Sequence, residues 1–120
     1  MHTATETQQK KKLLDSVIKA LDGKEELGES RANMHAHSLR AKVHLDMEDL
    51  DATREDARKA IALGDAIGCK VPPTTYRVLA DASEAKGDID GAITALKQWS
   101  TDNPQFATKV GKEIQRLRSM

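Results

Sequence analysis

Apolar residues recur along this chain at the spacing of helix faces. Leu14, Val17, Ile18 and Leu21 stand at i, i+3, i+4 and i+7, one stripe of an amphipathic helix. Ala57, Ala60, Ile61 and Gly64 repeat that spacing, and so do Ile89, Ala92, Ile93 and Leu96. Leu79, Ala80 and Ser83 mark a shorter stripe, and Phe106, Val110, Ile114 and Leu117 a last one. One stretch is ambiguous: Ala41, Val43, Leu45 and Met47 alternate like a strand, while Ala36, Leu39, Val43 and Met47 fit a helix. The lack of strand turns and the repetition described below decide for helix.

Polar punctuation divides the stripes. Gly28 and Gly68 are expected to stop helices as left-handed caps. Asp49 and Asp88 are expected to start them, each carboxylate accepting from free N–H groups of the next turn. Gly87 permits a tight turn before Asp88, Pro72 and Pro73 break the chain, and Asn103-Pro104 reads as N-cap and first helical residue. The pattern predicts six helices, over 6–27, 31–47, 50–67, 74–86, 89–101 and 104–118. Short connections imply antiparallel neighbours.

The segments also repeat. Lys19-Ala20-Leu21 with Leu27-Gly28 matches Lys59-Ala60-Ile61 with Ile67-Gly68, 40 residues on. Asp49-Leu50-Asp51-Ala52 matches Asp88-Ile89-Asp90-Gly91, and Arg40-Ala41 matches Leu79-Ala80, both at an offset of 39. Three matches in one register indicate an internal period near 39 residues.

Composition narrows the function classes. At 120 residues and 38% apolar content the chain is one domain. Lys plus Arg and Asp plus Glu both number 19, so the net charge is zero and no surplus exists for nucleic acid or anionic membranes. Tyr76, Trp99 and Phe106 are the only aromatic residues, too few for base stacking. One cysteine makes no disulfide framework, no apolar run reaches membrane-spanning length, and Met1 to Lys12 has no signal-peptide core. A soluble protein of a reducing compartment, the cytoplasm by default, is expected.

The second repeat carries a recognisable pattern. Tyr76, Leu79-Ala80, Ser83, Gly87, Ala92, Leu96 and Pro104 are spaced as in a tetratricopeptide repeat, which this segment resembles. Ser83 and Leu96 replace aromatic residues of that pattern, and Trp99 takes a slot that usually holds alanine. In the preceding copy Ala41, Leu50, Ala57, Ala60 and Ile61 fill core slots, but His37, Arg40 and His44 stand where large apolar residues are usual. The resemblance divides the chain into a half-repeat 6–28, repeats 34–69 and 73–104, and a C-terminal helix 104–118. It implies an all-α, right-handed superhelix of antiparallel hairpins whose concave side, lined by the first helix of each pair, binds a peptide or partner helix. The half-repeat implies an unfinished N-terminal flank around Leu13, to be covered by self-association or a neighbouring subunit. Trp99 is expected in the core, against Val110 and Ile114.

Candidate chemistry is sparse. His37 and His44 share a face but stand about 10.5 Å apart along a helix axis, too far to share a zinc ion with bonds near 2 Å. His35 and His37 point apart. No base is recognisably paired with Cys69, acidic pairs such as Asp49 with Asp51 suit helix starts, and the glycines form no phosphate loop. No catalytic, cofactor or metal site is expected, and the chain is not expected to be an enzyme. The excess of Lys109, Lys112, Arg116 and Arg118 over Glu113 is expected on the outer face of the last helix. The face with functional content is the concave one. Ser38, Lys42, Leu45 and Asp46 run along the second helix, and Arg77, Asp81, Glu84 and Ala85 hold the equivalent places one repeat later. Lys42 is placed to be neutralised by Asp81. The chaperone-tail clamp of the family has lysine and asparagine where this chain reads Ser38 with Lys42 and Arg77 with Asp81. A protein or peptide partner with charged and small apolar contacts is therefore expected, bound over Ser38, Lys42, Leu45, Asp46, Arg77, Asp81 and Glu84. The alternatives are a structural subunit using its outer faces and a pentatricopeptide-like RNA binder, which Thr75-Tyr76, Gly87 and Ala92-Ile93 also resemble.

Overall fold

A computed structural model describes residues 4–120. The described chain is all-α, with six helices and one 3-10 turn: α1 (Ala4–Leu21), α2 (Leu27–Asp46), α3 (Leu50–Ile67), α4 (Pro73–Ala85), α5 (Ile89–Asp102), the turn Pro104–Phe106, and α6 (Ala107–Arg118). Each helix packs on the next, and α2 also reaches α4. A continuous apolar core runs from α2 to α6, through Met34, Ala41, Ile61, Tyr76, Leu96 and Val110 among others. Among the described residues α1 contributes one buried hydrophobic side chain, Ile18, and none to that core.

The helix starts follow local chemistry. The Asp49 carboxylate accepts from Ala52 N at 3.3 Å and the Asp88 carboxylate from Gly91 N at 2.8 Å, satisfying N–H groups that the first turn leaves free. Gly68 caps α3 in the left-handed region at φ 67. Pro73 opens α4, where its missing N–H costs nothing. Two expected boundaries are corrected. The first helix stops at Leu21, not 27, and α2 already begins at Leu27, so Gly28 lies inside a helix instead of ending one. The turn uses Gly23 instead, at φ 84, a conformation that costs glycine little. At the other end Pro104 opens a 3-10 turn before α6, and the Asn103 side chain does not cap it. Asn103 Nδ2 donates backwards to the Trp99 carbonyl at 3.2 Å.

The internal period holds in the two hairpin turns. Asp49 N donates to His44 O at 2.9 Å, and Asp88 N to Ser83 O at 2.8 Å; Glu48 N bonds Leu45 O as Gly87 N bonds Glu84 O, each at 2.9 Å. Every pair is offset by 39 residues.

The first hairpin replaces part of its apolar core with charge. Asp56 on α3, its side chain 3% exposed, receives Arg40 Nε and Nη2 at 2.8 Å each. His37 Nδ1 stands 3.0 Å from Asp56 Oδ1 and His44 Nε2 3.2 Å from Oδ2. Arg40 reaches on to Asp15 of α1 at 3.0 Å, and Asn33 donates to Asp22 at 2.8 Å. One repeat later the same places hold Tyr76, Leu79, Ser83 and Ala95, all buried. Burial alone would raise the Asp56 carboxyl, but hydrogen bonds from His37 and Arg40 outweigh it and hold the group below the usual carboxylate range. The histidines are thus inside, as a polar core. Their seven-residue separation is bridged because one offers its near ring nitrogen and the other its far one.

Trp99 is 6% exposed, with Phe106 at 5.5 Å between ring centroids. Tyr76 is fully buried, and its hydroxyl donates to Asp102 at 2.5 Å.

Candidate functional site

The sequence-selected residues lie on α2 and α4, whose contact sets the geometry. Ser38 is buried, and its hydroxyl shares a 2.5 Å hydrogen bond with Thr75 of α4. It joins the two helices and does not face solvent. Leu45, three residues and nearly one turn past Lys42, is half-buried against the core. The exposed part of the α2 face is Lys42 with Asp46, paired at 3.1 Å. The expected neutralisation of Lys42 by Asp81 is therefore corrected: its ion-pair partner is the carboxylate four residues on, which one helix turn delivers without a second element. Lys42 still acts on Asp81 electrostatically, from across the α2–α4 contact.

On α4, Arg77 is the organising side chain. Its guanidinium lies 5.3 Å from the centroid of the Trp99 ring, a cation–π arrangement. Two carboxylates flank it, Asp81 at 3.9 Å and Glu113 at 3.7 Å, both beyond hydrogen-bond length. Asp81 is raised above the ordinary carboxylate range, first by burial, which Arg77 and Lys42 offset in part while Glu84 and Glu113 add to it. Glu84 is held low by hydrogen bonds from Arg116, whose Nη2 lies 2.8 Å from Oε1.

Glu113 and Arg116 of α6 were not selected from sequence. Arg116, expected on the outer face of the last helix, instead turns towards α4 and bonds both Glu84 and Glu113, the latter at 3.1 Å. Their spacing at i and i+3 was a visible sign that the two side chains share a face. The face therefore spans α2, α4 and one edge of α6, with Arg77 between carboxylates of two helices.

A separate groove of about 670 Å³ lies between α1 and α2. Leu13, Leu14, Leu39 and Val43 line it, with Lys10, Lys42 and Asp46 at its rim. Leu13 is 67% and Leu39 59% exposed. Leu39 was read only as part of a helical stripe, and its exposure depends on how α1 lies against α2.

Among the described residues, no three His, Cys, Asp or Glu side chains gather as a metal site requires. None of the described helices is long and apolar enough to cross a membrane. Comparison with protein-family models, with curated proteins and with solved structures gives no match for this chain.

Proposed function

We propose that this chain is a non-catalytic protein-interaction module, a tetratricopeptide-like stack of hairpins with a right-handed superhelical turn, and that a partner peptide or helix lies across α2 and α4. The reading is supported by the repetition of one hairpin turn at an offset of 39 residues and by the side-by-side placement of α2 and α4. The observation that carries it is Arg77. Its guanidinium rests over Trp99, yet both nearby carboxylates stand too far away to take its hydrogen bonds. A planar fork held over an indole with donors unspent suits a partner carboxylate, which it can grip bidentately. Lys42, exposed beside Asp46, adds a second cation on the neighbouring helix. The partner class is thus a protein segment with a carboxylate and small apolar side chains, met in a reducing compartment such as the cytoplasm, where the free thiol of Cys69 persists.

The test is affinity capture with the wild type beside a Lys42→Ala, Arg77→Ala double variant of native helicity. A partner retained by the first and lost by the second supports the reading; a partner held equally by both refutes it. A structural subunit acting through its outer faces is the second reading, favoured by the exposure of Leu13 and Leu39.

A further inference from the structure

We propose that the α1–α2 groove is a self-association surface, occupied by the same hairpin of a second copy of this chain in a two-fold, antiparallel arrangement. The groove borders the partner face at Lys42 and Asp46 but otherwise has its own lining on α1 and α2, and its test uses none of the partner-face variants.

The first observation is how little of α1 the fold covers. Of its apolar stripe only Ile18 is buried; Leu14, Val17 and Leu21 are half-buried, and Leu13 and Ala20 are exposed. Among the described residues the helix packs on α2 alone. Ala32 and Leu39 extend the same apolar surface onto the exposed edge of α2. Eighteen helical residues make this face about 27 Å long. Two helices wide, it is of the same order as the ~800 Å² per partner of a standard interface.

The second observation is that the face complements itself. A two-fold axis through Val17 brings Val17 onto its own image. It sets Leu13 opposite Leu21, each four residues from the axis, and Leu14 opposite Ala20, each three away. Apolar side chains thus meet apolar side chains along the whole stripe, as an isologous contact requires. The ends match in charge. Lys10 rims the groove at the start of α1, beside the Lys42–Asp46 ion pair. Exposed Glu25 and Glu26 lie in the turn at its other end, eight and nine residues beyond Val17, while Lys10 lies seven before it. Antiparallel pairing brings each turn, in which Glu25 and Glu26 outnumber Lys24, to Lys10 of the other copy. A parallel pairing would set lysine against lysine and glutamate against glutamate.

Light scattering on the full chain, from micromolar to millimolar concentration, tests this. The expected mass is twice 13.2 kDa, dissociating on dilution. Leu13→Glu and Leu39→Glu should each give a monomer of unchanged helicity. Lys10→Glu and Glu25→Lys should each weaken the dimer about two- to thirtyfold, and together restore it, since the two-fold repeats the contact and each exposed pair is worth a few tenths to about 1 kcal/mol. Should either leucine variant lose its fold, Val17→Cys in a Cys69→Ser background decides, because it should give a disulfide-linked dimer on mild oxidation. A chain that is monomeric throughout, a larger oligomer, a dimer indifferent to both leucine changes, charge reversals that do not compensate, or a Val17→Cys variant that stays uncross-linked would overturn the proposal.

Discussion

Glu48 and Gly87 occupy the same place in two copies of one turn, 39 residues apart, and both adopt a left-handed backbone, φ 60 and φ 81. The turn closes each hairpin with the same pattern of backbone hydrogen bonds. Glycine takes that conformation freely, whereas a side-chain-bearing residue is strained there by about 1–2 kcal/mol. The turn is thus specified by the hairpin geometry, and one copy keeps it despite the wrong residue.

Replacing Glu48 by glycine is therefore expected to stabilise the protein by up to about 1 kcal/mol, the relief of strain being reduced by the flexibility glycine adds to the unfolded chain. Urea denaturation measures this through the midpoint. Gly87→Ala should act in the opposite direction. A midpoint that falls with Glu48→Gly would show that the two turns are not equivalent.

Asp56 holds together three cationic or neutral nitrogen groups from α2. Its removal in Asp56→Ala leaves Arg40 with Asp15 as its remaining carboxylate and takes from both histidines their buried one, and should cost about 3–5 kcal/mol. The pH dependence has a definite sign. Because the folded carboxyl titrates below its ordinary value, its contribution is present above about pH 4 and is lost as pH falls through the depressed folded value. Melting followed by circular dichroism between pH 6 and pH 2 should show this acid loss in the wild type, diminished in Asp56→Ala.

Gly64 closes the inner face of α3 against the segment that follows it. A Cβ there would meet the Cys69 carbonyl oxygen at 2.8 Å and the Met34 sulfur at 3.1 Å. The first is backbone and cannot swing aside, so Gly64→Ala should destabilise by about 1–3 kcal/mol despite alanine's better helix propensity. Thermal denaturation gives the answer directly; a variant more stable than wild type would contradict the packing described.

Much of the fold was legible because its signals are local. Asp49 and Asp88 cap helices through bonds three residues away, and Pro73 fixes the start of α4. The first boundary was misplaced because two glycines, Gly23 and Gly28, compete to end α1, and Lys24-Glu25-Glu26 between them suits a helix as well as a turn. Other features needed three dimensions. Asp56 lies nineteen residues from His37, and only packing of α3 on α2 brings them together, although a carboxylate beside the stripe Ala57, Ala60 and Ile61 was a sign of a buried charge. The candidate face was legible as to its helices but not its contacts. Ser38 proved to be a buried strut, Lys42 took its nearest acid, and the part played by Glu113 and Arg116 follows from the edge of α6, packed on α5, from which their side chains reach α4.

The partner face is tested most directly by the emission of Trp99, the single tryptophan, which lies under Arg77. A carboxylate gripped by Arg77 changes the charge and the solvent access around the indole on which the guanidinium rests. Titration with the captured partner segment should therefore change Trp99 emission saturably, and the Lys42→Ala, Arg77→Ala variant should bind more weakly by about 2–5 kcal/mol. The variant's own stability should fall by only about 0.5–2 kcal/mol, the worth of a partly buried cation–π contact. Equal affinity in both proteins, with Trp99 emission unchanged on binding, would place the working surface elsewhere and contradict the assignment of α2 and α4.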